Sequence, residues 1–115
     1  MDTRLNDALA FANYRLTLQV QRQNIEARVS TALLFSVQTA IFKATPTLIA
    51  FADYKVRHPE SPMYLDDNSG NTIKIEDPVE FLKVASETYD AALTLKQQEQ
   101  QKLKSARTTA KIVGL

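Results

Sequence analysis

At 115 residues, 44% apolar and 23% charged, the chain reads as one globular domain, not as a disordered tail or a membrane protein. Fourteen basic against thirteen acidic residues leave a net charge of +1, too small to steer it toward nucleic acid or an anionic membrane. No cysteine, one histidine (His58) and two glycines (Gly70 and Gly114) exclude disulfides, sulfur-bound zinc, most general-base sets and any glycine-rich phosphate loop.

The N-terminus, Met1-Asp2-Thr3-Arg4-Leu5, has no basic start before an apolar core, so no cleaved signal is expected. The longest nearly apolar stretch, Leu48 to Ala52, is far short of the ~20 residues that cross a bilayer, so no transmembrane segment is expected either.

Residues 2 to about 43 hold no glycine or proline and carry helical spacing. One stripe runs Leu5, Leu9, Ala12, Leu16, Val20 and a second Ile25, Val29, Ala32, Leu33, Val37, Ala40, Ile41. The spacing predicts a single helix of roughly 60 Å, capped by Asp2 or Thr3 and ended by Pro46. Thr45-Pro46 then predicts a second, short helix over about 46–57, a capping hydroxyl followed by proline at the first helical position. Pro59-Glu60-Ser61-Pro62 is a rigid connection. Two β-prone runs, Met63-Tyr64-Leu65 and Thr72-Ile73-Lys74-Ile75, flank Asp66-Asp67-Asn68-Ser69-Gly70-Asn71 and predict a hairpin over about 63–75. Asp77-Pro78, with Glu80 in the first turn, opens a last helix to about 113, whose middle, Lys96 to Lys102, is polar on every side.

The fold expected is therefore mainly all-α: two long antiparallel helices in a single domain, with the short helix and a small β-hairpin in their connection. Folding the long helices together sets their glutamine-rich bands, Gln19 to Asn24 and Lys96 to Lys102, opposite each other. Leu33 and Val37 then face Leu82 to Ala85, and Leu5 and Leu9 face Ala110 and Val113. Solvated mid-helix faces account for the two bands equally well. Two helices cannot cover every apolar face, and Phe11, Tyr14 and Leu18 stand beside the first stripe with no third element to shelter them. Such surface marks a contact with another subunit, and the residues expected there are Phe11, Tyr14, Leu18, Leu103, Ala106 and Ile112.

Chemical sites find little support. In Asp66 to Asp77 an EF-hand reading fails, because glycine falls at the fifth position and aspartate at the twelfth, so a tight turn is expected. His58 before Pro59 suits a helix C-terminus. Lys96, Lys102, Lys104, Arg107 and Lys111 could touch phosphates, but cations also belong near a helix C-terminus, and no aromatic follows Tyr89 to stack on bases. Catalytic, cofactor-binding and metal residues are expected to be absent, as are cofactors, a small-molecule substrate and membrane insertion.

Arg4-Leu5, Ala8-Leu9, Phe11, Leu16, Leu18, Gln21-Arg22-Gln23, Ile25 and Ala27, followed by Gly70-Asn71-Thr72-Ile73, Ile75-Glu76, Phe81, Tyr89 and Leu93-Thr94, cover roughly half the chain in order. On these residues the chain resembles the bacterial flagellar proximal rod proteins of the basal body, whose terminal segments form paired helices that pack into a tube. It departs from them after the first helix, where the family carries a Thr-Pro-Gly-Tyr turn and this chain has Pro46-Thr47. The resemblance implies a non-enzymatic structural subunit of a tubular or ring-shaped assembly, with copies of itself or other subunits as partners and the flagellar basal body as its place. A bacteriophage virion component (neck, tail or connector) solves the same packing problem, and a helical adaptor or chaperone would use the same grooves for a client helix.

Overall fold

A computed structural model of the chain describes residues 3–112, with side chains described through residue 106. The expected cap Asp2 and the expected contacts of Ala110, Ile112 and Val113 lie outside the described side chains. Seven elements follow in order: α1 (Thr3–Ala32), β1 (Leu34–Val37), β2 (Ala40–Lys43), α2 (Pro46–Arg57), β3 (Met63–Asp66), β4 (Thr72–Ile75) and α3 (Pro78–Ile112). Three helices dominate, with two separate two-stranded antiparallel sheets. The chain divides into two compact units: Val29–Leu95, and the residues up to Arg28 with those from Lys96 onward.

The first helix ends at Ala32, eleven residues before the boundary expected from its spacing, and Leu34–Lys43 forms a hairpin instead. The register pairs Leu34 with Lys43, Phe35 with Phe42, Ser36 with Ile41 and Val37 with Ala40. A helix through this segment would gather Leu33, Val37, Ala40 and Ile41 but turn Phe35 and Phe42 to its opposite side. The hairpin turns both phenylalanines inward together with Val37 and Ala40. Ile41 is left 51% exposed and Phe42 only 1%, the alternation of a strand. Its two-residue turn, Gln38-Thr39, has positive φ at both positions, 53° and 64°, which makes it a type I′ turn built without glycine. That missing glycine hid the hairpin from the sequence.

α2 and α3 start as their caps predict. The Thr45 hydroxyl accepts from the Leu48 amide at 3.1 Å with Pro46 in the first turn, and the Asp77 carboxylate accepts from the Glu80 amide at 3.1 Å. The β3–β4 loop is organised by Asp67. Its carboxylate accepts from the amides of Ser69 and Asn71 at 2.9 and 2.8 Å, and Gly70 supplies a φ of +87°.

Within Val29–Leu95 the two hairpins are tied by side chain and loop. The Gln38 amide donates to the Lys74 carbonyl at 2.8 Å and accepts from the Glu76 amide at 2.9 Å. The Asn68 amide donates to the Ile41 carbonyl at 2.6 Å. Beneath them, Phe35, Phe42 and Phe81 form a ring cluster with centroids 5.1 to 5.8 Å apart, offset or edge-on as the aromatic quadrupole favours. Met63, Ile75 and the fully covered Ala44, Ala52 and Ala85 complete this core.

In the other unit, α1 up to Arg28 meets α3 from Lys96 through ion pairs: Glu26 with Lys96 at 3.4 Å and Arg28 with Glu99 at 3.3 Å. Glu99 also lies 3.7 Å from Lys102. These pairs are partly solvated, so each contributes about 0–1 kcal/mol. Arg22, Ile25 and Glu26 share a cavity with Gln100, Leu103 and Lys104, so members of the two polar bands do meet.

Candidate functional site

Two apolar surfaces, one in each unit, are the candidates for function. The first lies on α1. Leu5, Leu9, Leu16 and Val20 are 46% to 59% exposed, whereas Ile25 on the opposite side of the helix is 6% exposed. Tyr14 and Leu18 are half-buried on the Ile25 side. Leu103 is half-buried and lines the same cavity as Ile25.

The stripe through Leu5 and Leu9, expected against α3, is the open one. Tyr14, Leu18 and Leu103, expected at a subunit contact, lie on or beside the covered side. Phe11 is exposed, at 61%, with the Arg15 guanidinium 5.8 Å from its ring centroid. Ala106 is exposed, and Ile112 lies outside the described side chains. The sequence held the signal. From Val20 to Ile25 is a step of five, about 140° around a helix, so the two stripes cannot share a face. Tyr14, Leu18, Ile25 and Val29 are spaced by four, seven and four and form the continuous line.

The exposed stripe itself runs 5, 9, 12, 16, a four-three-four spacing that matches the seam of a coiled coil. Arg22 lines the cavity on the Ile25 side, Arg15 sits over the Phe11 ring, and between Asp7 and Glu26 α1 carries no acid.

The second surface is a groove between α2 and α3 within Val29–Leu95. Pro46, Ile49, Ala50 and Asp53 line it from α2, and Leu82, Ser86, Tyr89 and Asp90 from α3. Each set follows helical spacing. The groove is a shallow, open depression of about 460 Å³. Two acids and no base line it. Asp53 pairs with Arg57 one turn on, while the Asp90 carboxylate makes no ion pair or hydrogen bond among the described residues.

The residues with chemical potential are otherwise engaged. His58 is the C-cap of α2, its ring stacked on Tyr54 at 4.3 Å and its Nδ1 2.9 Å from the Tyr54 carbonyl. The acids of the β3–β4 loop serve the turn, Asp67 as above and Asp66 by accepting from the Thr72 hydroxyl at 2.7 Å. Among the described residues no group of three or more His, Asp or Glu side chains is placed to hold a metal ion, and no helix is long and apolar enough to cross a membrane. Of the basic residues near the C-terminus, Lys96 and Lys102 form the ion pairs named above, Lys104 is also engaged, and Arg107 and Lys111 lie outside the described side chains. No family model, curated protein or solved structure matches the chain.

Proposed function

We propose that this chain is a non-enzymatic structural subunit of a tubular or ring-shaped macromolecular assembly. In this reading its long helices pair antiparallel, as in the flagellar rod proteins its sequence resembles, and their outer faces pack against neighbours. One observation carries the proposal: an aliphatic seam, Leu5–Leu9–Leu16–Val20, on the side of α1 facing away from Ile25. Four large aliphatic side chains in a helical row, each about half exposed, forgo burial on the order of 1 kcal/mol each while they face water. The seam's coiled-coil spacing points to a helical neighbour. A bacteriophage neck, tail or connector subunit is the second reading. It is favoured by the Leu34–Lys43 hairpin, which stands after the first helix where the rod family carries its Thr-Pro-Gly-Tyr turn.

Sedimentation velocity on the full chain over a hundredfold concentration range, with negative-stain imaging of the heaviest species, tests the proposal. Rings, tubes or a concentration-dependent series of oligomers are expected. A monomer at every concentration that also captures no structural partner from its source overturns it. Hook and rod genes beside its own would select the flagellar reading, and portal and terminase genes the virion.

A further inference from the structure

The strained turn of the β1–β2 hairpin lies beside a sheet edge of the β3–β4 hairpin. In the latter the Asp67 amide donates to the Asn71 carbonyl at 2.8 Å. Counted along the register from that pair, Leu65 with Ile73 and Met63 with Ile75 are the hydrogen-bonded pairs. Tyr64, Asp66, Thr72 and Lys74 therefore turn their backbone groups to the outer edges. The Lys74 carbonyl and, two residues on, the Glu76 amide are the acceptor and donor that a strand added along β4 would take. Both are taken instead by the Gln38 side chain, whose amide donates to the first at 2.8 Å and accepts from the second at 2.9 Å. β2 is closed in a similar way. Its register continues into the bond from the Ala44 amide to the Leu33 carbonyl, which turns the Ile41 carbonyl outward, and the Asn68 amide donates to it at 2.6 Å.

We propose that Gln38 is an edge guard: its side chain closes the outer edge of β4 to a strand from another copy of the chain. An open strand edge is a template for pairing with a second chain, and folded proteins cover such edges. The guard accounts for a turn with positive φ at Gln38 and Thr39, 53° and 64°, and no glycine. Asparagine followed by glycine suits a type I′ turn best, but asparagine is a carbon shorter than glutamine and falls short of β4. The sequence keeps the residue that reaches and accepts the strain, and strain of this kind persists where the surrounding structure uses it. The β1–β2 hairpin itself has no need of an amide at this position, because its ladder already closes at Val37 with Ala40. The inference is independent of the assembly reading, which rests on α1.

The Gln38→Asn/Thr39→Gly variant keeps the turn and withdraws the guard, whereas Thr39→Gly alone keeps both. Amide exchange of the full chain over a hundredfold concentration range, with far-ultraviolet circular dichroism alongside, reads the outcome. In the dilute double variant the Glu76 amide should exchange about tenfold faster than in the original chain, with circular dichroism unchanged. As concentration rises, protection should return at Glu76 and appear at Lys74, whose amide points to the same edge, because a strand of a second copy pairs there. Thr39→Gly should show neither change. Gln38→Ala, which also lacks the reach, repeats the measurement should the double variant fail to fold. Unchanged exchange at Glu76 would show that the neighbouring hairpin, not the Gln38 side chain, covers the edge. Exchange that stays fast at every concentration would show an open edge that recruits no strand. Either result overturns the proposal.

Discussion

Gln38 and Thr39 hold a turn whose geometry suits neither of them. Positive φ at both costs a non-glycine residue of order 1 kcal/mol each, and a β-branched threonine is the less tolerant of the two. Thr39→Gly should therefore raise unfolding stability by about 1 kcal/mol, read as a higher urea midpoint with an unchanged slope; a lower midpoint would mean that the Thr39 side chain does more than tolerate its place. Gln38 has a reason to stay. Its amide bonds both the Lys74 carbonyl and the Glu76 amide, so Gln38→Ala should cost about 1–2 kcal/mol and speed amide exchange at Glu76. Deeper in the same unit, Phe42 and Phe81 are the largest fully buried side chains among the described residues. Either one changed to alanine should cost about 3–5 kcal/mol by chemical denaturation, and near-wild-type stability would show that the ring cluster is not the centre of the core.

The elements divide by how local their signals are. α2 and α3 were legible to the residue at their starts, because a capping side chain followed by proline is a local instruction. Thr45→Ala, which removes the acceptor for the Leu48 amide, should cost about 1 kcal/mol in thermal or chemical unfolding. No loss would mean that packing alone holds the start of α2. The β3–β4 hairpin was legible for the same reason, through Asp67 and Gly70. Leu34–Lys43 was not. Its apolar residues fit a helical period as well as an alternating one, and the choice is made at a distance, by Phe81 closing on Phe35 and Phe42. The faces of α1 are harder to read for a related reason. Two stripes compete along its first twenty residues, and continuity with Ile25 selects the Tyr14–Leu18 line over the one richer in leucine.

For the whole molecule, the open seam separates stability from association. A core leucine changed to glutamine destabilises a fold because it strands polar atoms in an apolar interior. Leu9 and Leu16 are already more than half exposed, so glutamine there meets water in the free chain and, as a good helix former, leaves α1 intact. The Leu9→Gln/Leu16→Gln double variant should keep its unfolding free energy within about 0.5 kcal/mol of the original. In an assembled state the same two amides would enter a contact that offers them no partners, at a cost of roughly 1–3 kcal/mol each. Sedimentation of the variant should then show monomer at concentrations where the original chain forms oligomers, and its far-ultraviolet circular dichroism should be unchanged. If the variant loses stability and helicity instead, the seam is covered within a single copy and α1 has no face to offer a neighbour. If it assembles like the original, the contact lies elsewhere on the chain.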